Sequence, residues 1–107
     1  MVSIRKEDVM ENKYQILMKT EMGEKEGILD LIEMDGILSG SLDILNHVYL
    51  LTGKMINTTE GWIKGKIQTA LYILDYEIRF HIFKNEIAGE METSKGIFKV
   101  EGVKWSD

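Results

Sequence analysis

The sequence contains neither cysteine nor proline. Without cysteine the chain has no disulfide, no thiolate nucleophile and no thiolate metal ligand. Proline interrupts the hydrogen-bond ladders of a β-sheet. Strands joined by turns that contain Gly, Asn and Asp can form without it, so its absence is typical of a β-rich chain.

Clustered positive charge is also missing. The chain has 13 Lys and Arg against 18 Asp and Glu, which gives a net charge of −5, and its lysines are scattered among the acids. Because nucleic-acid binding depends on clustered basic side chains, we expect no nucleic-acid partner.

Long apolar runs are absent as well. No stretch approaches the roughly 18 residues that a membrane span requires. Residues 1–12 mix charges throughout, unlike the apolar segment of a signal peptide. We therefore expect a cytoplasmic protein with no membrane partner.

What the sequence does contain is alternation. From Lys13 onward, apolar and polar residues alternate with a period of two, which indicates strands with one buried face. Asp35-Gly36, between two such stretches, is a strong hairpin signal. With 107 residues the chain fits one domain. This predicts a single β-domain over residues 13–107, preceded by an extension (residues 1–12) that is a short helix or disordered.

The second half of the chain resembles the first. A shift of 49 residues, without a gap, superimposes Thr20 on Thr69, Gly40 on Gly89 and Gly53 on Gly102, and it aligns many apolar positions. This predicts two tandem four-strand repeats, covering about residues 13–53 and 62–102.

Eight strands joined by short links suggest an antiparallel up-and-down barrel, because one four-stranded sheet cannot bury its apolar face alone. A two-sheet β-sandwich is the alternative. The alternation predicts the following inward set: Tyr14, Ile16, Met18, Leu29, Leu31, Leu38, Leu42, Tyr49, Ile67, Tyr76, Ile78, Phe80, Met91, Phe98 and Val100.

Several segments resemble a known kind of scaffold. The segments Met18-Lys19-Thr20-Glu21-Met22-Gly23, Leu38-Ser39-Gly40-Ser41-Leu42 and Gly96-Ile97-Phe98-Lys99-Val100 look like those of small bacterial calycin-like barrel domains, which resemble lipocalins and streptavidin. Most such domains are uncharacterised. The resemblance implies a scaffold, and a larger oxidoreductase as a partner, but no catalytic residues.

No catalytic or metal-binding arrangement stands out. The two histidines, His47 and His81, fall at a strand start and on the predicted solvent face, so neither indicates a ligand or a base. A zinc site takes three or four protein ligands, which this pattern does not provide. We therefore expect no enzyme activity, no metal and no cofactor.

Two functional hypotheses remain. An eight-stranded barrel is just wide enough either to be filled by its own side chains or to hold one small ligand. In the first hypothesis a small apolar or aromatic ligand binds inside, on side chains that combine aromatic rings with hydroxyls: Tyr14, Thr20, Tyr49, Thr69, Tyr76, Phe80 and Phe98.

In the second hypothesis the barrel is a platform whose outer surface docks a partner, either a second copy or a larger protein. Apolar residues at outward positions would form that patch. They are Val48, Leu50, Trp62, Leu71, Ile73, Phe83 and Ile97.

Overall fold

The computed structural model describes residues 9–20 and 23–105, and it shows a closed antiparallel barrel in which each strand pairs with the next and β8 pairs with β1. The strands are β1 (Val9–Thr20), β2 (Gly23–Met34), β3 (Ile37–Ile44), β4 (His47–Met55), β5 (Glu60–Gln68), β6 (Ile73–Phe83), β7 (Glu86–Thr93) and β8 (Gly96–Lys104). The predicted up-and-down barrel is confirmed, and the sandwich alternative is wrong.

The first strand starts earlier than predicted. Residues 9–12, assigned to a helical or disordered extension, belong to β1 and pair with residues 31–34 of β2. Residues 9–12 form a strand because β2 continues to Met34, just before the Asp35-Gly36 turn, and its last residues are available to pair with them. The rest of the predicted extension, residues 1–8, lies outside the described residues.

The apolar core lies inside the barrel. Among the described residues, seventeen buried apolar side chains form one cluster, and all of the predicted inward residues belong to it except Tyr49 and Phe98, which are partly buried and pack against it. The cluster also contains Ile44, Leu51, Ile63 and Ile87, which the predicted set omits although they follow the same alternation.

The registers within the two halves correspond at the shift of 49 residues. The pair Leu31↔Gly40 of β2 and β3 matches Phe80↔Gly89 of β6 and β7. A Cβ on Gly40 or Gly89 would collide with the carbonyl oxygen of Asp30 or Arg79 respectively, and these carbonyls are themselves 49 residues apart. Both glycines therefore allow a close approach of the neighbouring strand. The duplication itself stays a prediction.

The two seams that join the halves are not equivalent. Gly53 pairs with Ile63 across β4 and β5, whereas Gly102 pairs with Ile16 across β8 and β1. Under the 49-residue shift the partner of Gly102 would be Tyr14, so the two registers differ by two residues. This difference gives the β4–β5 seam a local structure of its own.

Candidate ligand-binding cleft

The β4–β5 seam has the shortest ladder in the barrel. Its five residue pairs run from Met55↔Gly61 to Leu51↔Gly65. Beyond Leu51 and Gly65, both strands continue, β4 back to His47 and β5 on to Gln68, without further ladder pairs between them. The barrel wall is therefore parted at this end of the seam.

The side chain of Tyr49 bridges the parted strands. Its phenolic Oη donates a hydrogen bond of 3.0 Å to the backbone carbonyl of Gln68. Its ring packs against the edge of the core cluster. One side-chain hydrogen bond thus replaces the backbone ladder at this point, and we call this contact the latch.

Behind the seam, Tyr76 covers Gly65. The two residues are paired across β5 and β6. A Cβ built on Gly65 would lie 2.8 Å from the Tyr76 Oη and 3.1 Å from its Cε1. The phenol therefore occupies the space that a side chain at position 65 would take, a known way for an aromatic residue to cover a strand glycine.

The Tyr76 hydroxyl has no hydrogen-bond partner although it is buried. Burial raises its pKa to about 12, so it stays a protonated donor over the physiological range. A buried hydroxyl without a partner costs about 1–3 kcal/mol of stability. Most buried polar groups in folded proteins have a hydrogen-bond partner, so this hydroxyl is an exception.

One other buried side-chain oxygen among the described residues lacks a partner, Oδ1 of Asp30. It lies on the outward side of β2. Burial, followed by the nearby charge of Glu11 and a hydrogen bond with it, raises the Asp30 pKa, and Lys13 opposes that rise. None of these three residues lines the cleft at the β4–β5 seam.

That cleft has a volume of about 710 Å³, within the range of ligand sites in proteins, about 300–1,000 Å³. Its lining combines aliphatic walls, two phenols and a charged rim on which Lys66 Nζ lies 3.7 Å from Asp75 Oδ1. The lining residues are Val48, Tyr49, Leu50, Leu51, Thr52, Lys64, Gly65, Lys66, Asp75 and Tyr76.

The corresponding position in the other half also lies in a cleft, of about 450 Å³, whose lining includes Ile16 and Glu26, but its wall is built differently. The pair that corresponds to Gly65↔Tyr76 is Ile16↔Gly27, in which the large and the small residue have changed places. Ile16 is 1% exposed and fills the wall at the position that Gly65 leaves open. The two halves therefore differ here in the wall residue, and none of the described phenols lines the cleft beside Ile16.

The structure brings two of the predicted ligand residues together, Tyr49 and Tyr76. The Thr20 Oγ1 donates to the carbonyl of Gly23 at 2.7 Å, and the Thr69 Oγ1 to that of Tyr72 at 3.0 Å. Both threonines therefore help to close turns.

The three remaining predicted residues lie in or against the core. Tyr14 and Phe80 are buried, and burial raises the Tyr14 pKa. Phe98 is partly buried at the start of β8. None of the three lines the cleft.

Sequence reasoning missed Leu51, Gly65 and the rim lysines. Gly65 sits at an inward position among apolar residues, and a glycine inside a strand is a signal of close approach. The sequence contains that signal, but it does not show which aromatic residue covers Gly65. That depends on the register between β5 and β6.

The predicted outward apolar residues are exposed, with the exception of the half-buried Trp62. His81 is exposed on β6, as its alternation predicts, and His47 is exposed at the start of β4. In the described part of the chain, no three His, Asp or Glu side chains lie close enough together to hold a metal ion.

Comparison with known proteins identifies no relative: no protein-family model, curated protein or solved structure is significantly similar to this chain. The barrel shape alone is shared with calycin-like proteins, and that shape does not identify a family. Within residues 9–20 and 23–105, the structure contains no helix long and apolar enough to cross a membrane.

Proposed function

We propose that this chain is a small binding protein whose ligand enters the cleft at the β4–β5 seam. The ligand is an apolar or aromatic molecule that carries one hydrogen-bond acceptor, such as a carbonyl or carboxylate oxygen. One observation carries the proposal. The Tyr76 hydroxyl, which lies beside Gly65, is buried and has no hydrogen-bond partner.

The hydroxyl supplies specificity. A polar group that has already lost its water contacts bonds to a ligand without a further desolvation cost, and it discriminates against a ligand that lacks an acceptor. The exposed aliphatic side chains of Val48 and Leu50 provide the apolar contact area.

The latch controls access in this proposal. The Tyr76 hydroxyl lies behind Gly65 and is not exposed at the surface. Rupture of the single Tyr49–Gln68 hydrogen bond, at an exposed position, lets the parted ends of β4 and β5 separate further. Opening at one end of a short ladder costs less than opening in the middle of a long one.

The proposal differs from the prediction of a ligand inside the barrel, because the core cluster lies inside the barrel and the cleft opens through the wall. The wider interpretation, a cytoplasmic bacterial protein of calycin-like type that assists a larger oxidoreductase, stays part of the proposal. It rests on the sequence resemblance.

A thermal-shift experiment tests the proposal with three probes, laurate, riboflavin and haemin, on the wild type and Tyr76→Phe. A ligand that binds only the folded state at about 100 times its Kd stabilises it by about 2.7 kcal/mol. We expect at least one probe to raise the Tm of the wild type, and to raise that of the variant less. No shift with any probe, or equal shifts in both proteins, would contradict the proposal.

A further inference from the structure

The hydroxyl of Tyr76 lies in surroundings without charge. Tyr76 is 3% exposed and belongs to the core cluster. On the inner face of the wall, Ile63 and Ile67 flank Gly65 along β5, Ile78 follows Tyr76 along β6, and all three isoleucines are buried. Among the described residues, no charged residue is buried. A ligand oxygen that reaches the hydroxyl therefore has no buried cation beside it.

The charged side chains of the cleft lie on the other face of the wall. The pair Gly65↔Tyr76 is followed in the ladder by Lys66↔Asp75. Because successive residues of a strand point to opposite faces, a phenol directed inward leaves Lys64, Lys66 and Asp75 directed outward. The side chains of Lys66 and Asp75 are 74% and 81% exposed, in agreement with this alternation. The rim charges are thus in water, separated from the hydroxyl by the strand backbone.

Carboxylates also compensate the lysines of this rim. Lys66 Nζ lies 3.7 Å from Asp75 Oδ1, and Lys64 stands opposite Glu77 across β5 and β6. The pKa of Tyr76 agrees with this arrangement, since burial raises it and no positive charge of the described residues lowers it. Neither lysine therefore provides a positive charge for an anion bound at the hydroxyl.

These surroundings distinguish a neutral acceptor from a charged one. A carboxylate at the Tyr76 hydroxyl would lose most of its hydration and gain one neutral donor, and a buried charge without a counter-ion is costly. The carbonyl oxygen of a ketone, ester or amide loses much less hydration, and one donor satisfies it. Both acceptors would take the same hydrogen bond, so the difference between them is the cost of burying the charge.

We infer that the cleft selects an uncharged ligand, an aromatic or apolar ketone, ester or amide, over the corresponding carboxylate. The inference rests on the proposed function and narrows the ligand acceptor to a neutral oxygen. Of the three thermal-shift probes, riboflavin is the one without a carboxylate, so its shift should be the largest.

Three naphthalene derivatives test the inference: 2-acetylnaphthalene, methyl 2-naphthoate and 2-naphthoate. The first two are a neutral ketone and a neutral ester, and the third is a carboxylate of almost the same shape. Titrations of the ¹⁵N-labelled protein at pH 7.5, followed at the amide signals of Gly65 and Tyr76, give the three dissociation constants. We expect the carboxylate to bind at least about tenfold more weakly than either neutral ligand, because its charge must be buried without a counter-ion.

Asp75→Asn tests whether the rim contributes to this preference, because it removes the carboxylate beside Lys66. Asp43→Asn is the matched control, since Asp43 is an exposed residue of β3 that does not line the cleft. Both substitutions remove one negative charge from a chain of net charge −5, so general repulsion of an anion changes equally in both. We expect both variants to keep the preference for the neutral ligands.

Three results would overturn the inference and leave the proposed function standing. They are a carboxylate that binds as tightly as the ketone, an ester that binds as weakly as the carboxylate, and loss of the preference in Asp75→Asn alone. Binding of none of the three ligands would contradict the proposed function and the inference together.

Discussion

The phenol of Tyr76 lies over Gly65, its partner across the β5–β6 ladder, with its hydroxyl buried and unbonded. The corresponding pair in the other half, Ile16↔Gly27, places an aliphatic side chain in the wall instead. Clefts lie at both positions, and this exchange of large and small residues leaves a buried phenol hydroxyl at only one of the two.

The first prediction concerns the loss of folding stability caused by the unpartnered Tyr76 hydroxyl. Tyr76→Phe keeps the ring over Gly65 and removes the unpartnered hydroxyl, so it should stabilise the ligand-free protein by about 1 kcal/mol. For a domain of this size that corresponds to a rise in Tm of about 5 °C. Urea unfolding of the wild type and the variant measures the difference.

Tyr49→Phe is the matched comparison for this prediction. It removes a phenolic hydroxyl that does have a partner, the carbonyl of Gln68. We expect it to lower the free energy of unfolding by about 1 kcal/mol. If both variants destabilise the protein to a similar extent, the Tyr76 hydroxyl is not an unsatisfied group.

The second prediction concerns space at Gly65. In Gly65→Ala the new methyl group would lie 2.8 Å from the Tyr76 Oη, so the phenol must move. We expect a loss of about 1–3 kcal/mol of stability, typical of overpacking. Because the closest contact is with the hydroxyl, the same substitution in a Tyr76→Phe background should cost less.

A double-mutant cycle of urea unfolding curves gives the coupling between these two positions. A coupling energy of at least about 0.5 kcal/mol is expected for residues in contact. Additive effects would show that Tyr76 does not occupy the space at Gly65.

The third prediction concerns alkaline pH. Burial raises the pKa of Tyr76 from 10.0 to about 12, so between these values the folded protein keeps a proton that the unfolded chain has lost. The contribution of the Tyr76 proton to stability is complete below pH 10 and is lost as pH rises toward 12, by about 3 kcal/mol in all. Tyr76→Phe should reduce this loss.

Urea unfolding at pH 8, 10 and 11 measures the trend, and a titration of phenolate absorbance measures the pKa directly. Burial raises the pKa of Tyr14 as well, so Tyr14→Phe serves as a control that changes a different site. If the wild type and Tyr76→Phe lose stability equally above pH 10, Tyr76 titrates as an exposed phenol.

The fourth prediction concerns the β3–β4 turn. Leu45 and Asn46 both have positive φ, 56° and 64°, a conformation that two-residue hairpins require and that leucine adopts at a cost. The Asp35-Gly36 turn has similar φ values, 53° and 82°, with residues suited to them. Leu45→Asn should therefore raise the free energy of unfolding by about 1 kcal/mol. Ile37→Asn, at an exposed strand position, should not stabilise the protein and is the control.

The sequence predicts the barrel well because the barrel depends on local signals. Alternation identifies the buried face, and Asp35-Gly36 identifies one hairpin. The start of β1 at Val9 was not predictable in the same way, because residues 9–12 are strand only through their pairing with β2. Two neighbouring apolar residues, Val9 and Met10, followed by Glu11 and Asn12, give no period-two signal of their own.

The candidate cleft was only partly predictable for a related reason. Tyr49 and Tyr76 follow from the inward pattern, but their meeting at the seam depends on the register between β4 and β5, which is long-range information. The sequence pattern predicts Thr20 and Thr69 as ligand hydroxyls, whereas in the structure both donate to backbone carbonyls three residues on. The position of a threonine near the end of a strand does not by itself distinguish a ligand-binding hydroxyl from one that closes a turn.

The most direct test of the central claim is an NMR titration of the ¹⁵N-labelled protein with two ligands of similar shape, 2-acetylnaphthalene, which carries a carbonyl acceptor, and 2-isopropylnaphthalene, which does not. We predict that the first shifts the amide signals of Leu51, Gly65 and Tyr76, and binds at least about tenfold more tightly than the second, the value of one hydrogen bond to a buried donor. The preference should disappear in Tyr76→Phe. Equal binding of the two ligands by the wild type, or shifts confined to residues away from the β4–β5 seam, would contradict the account.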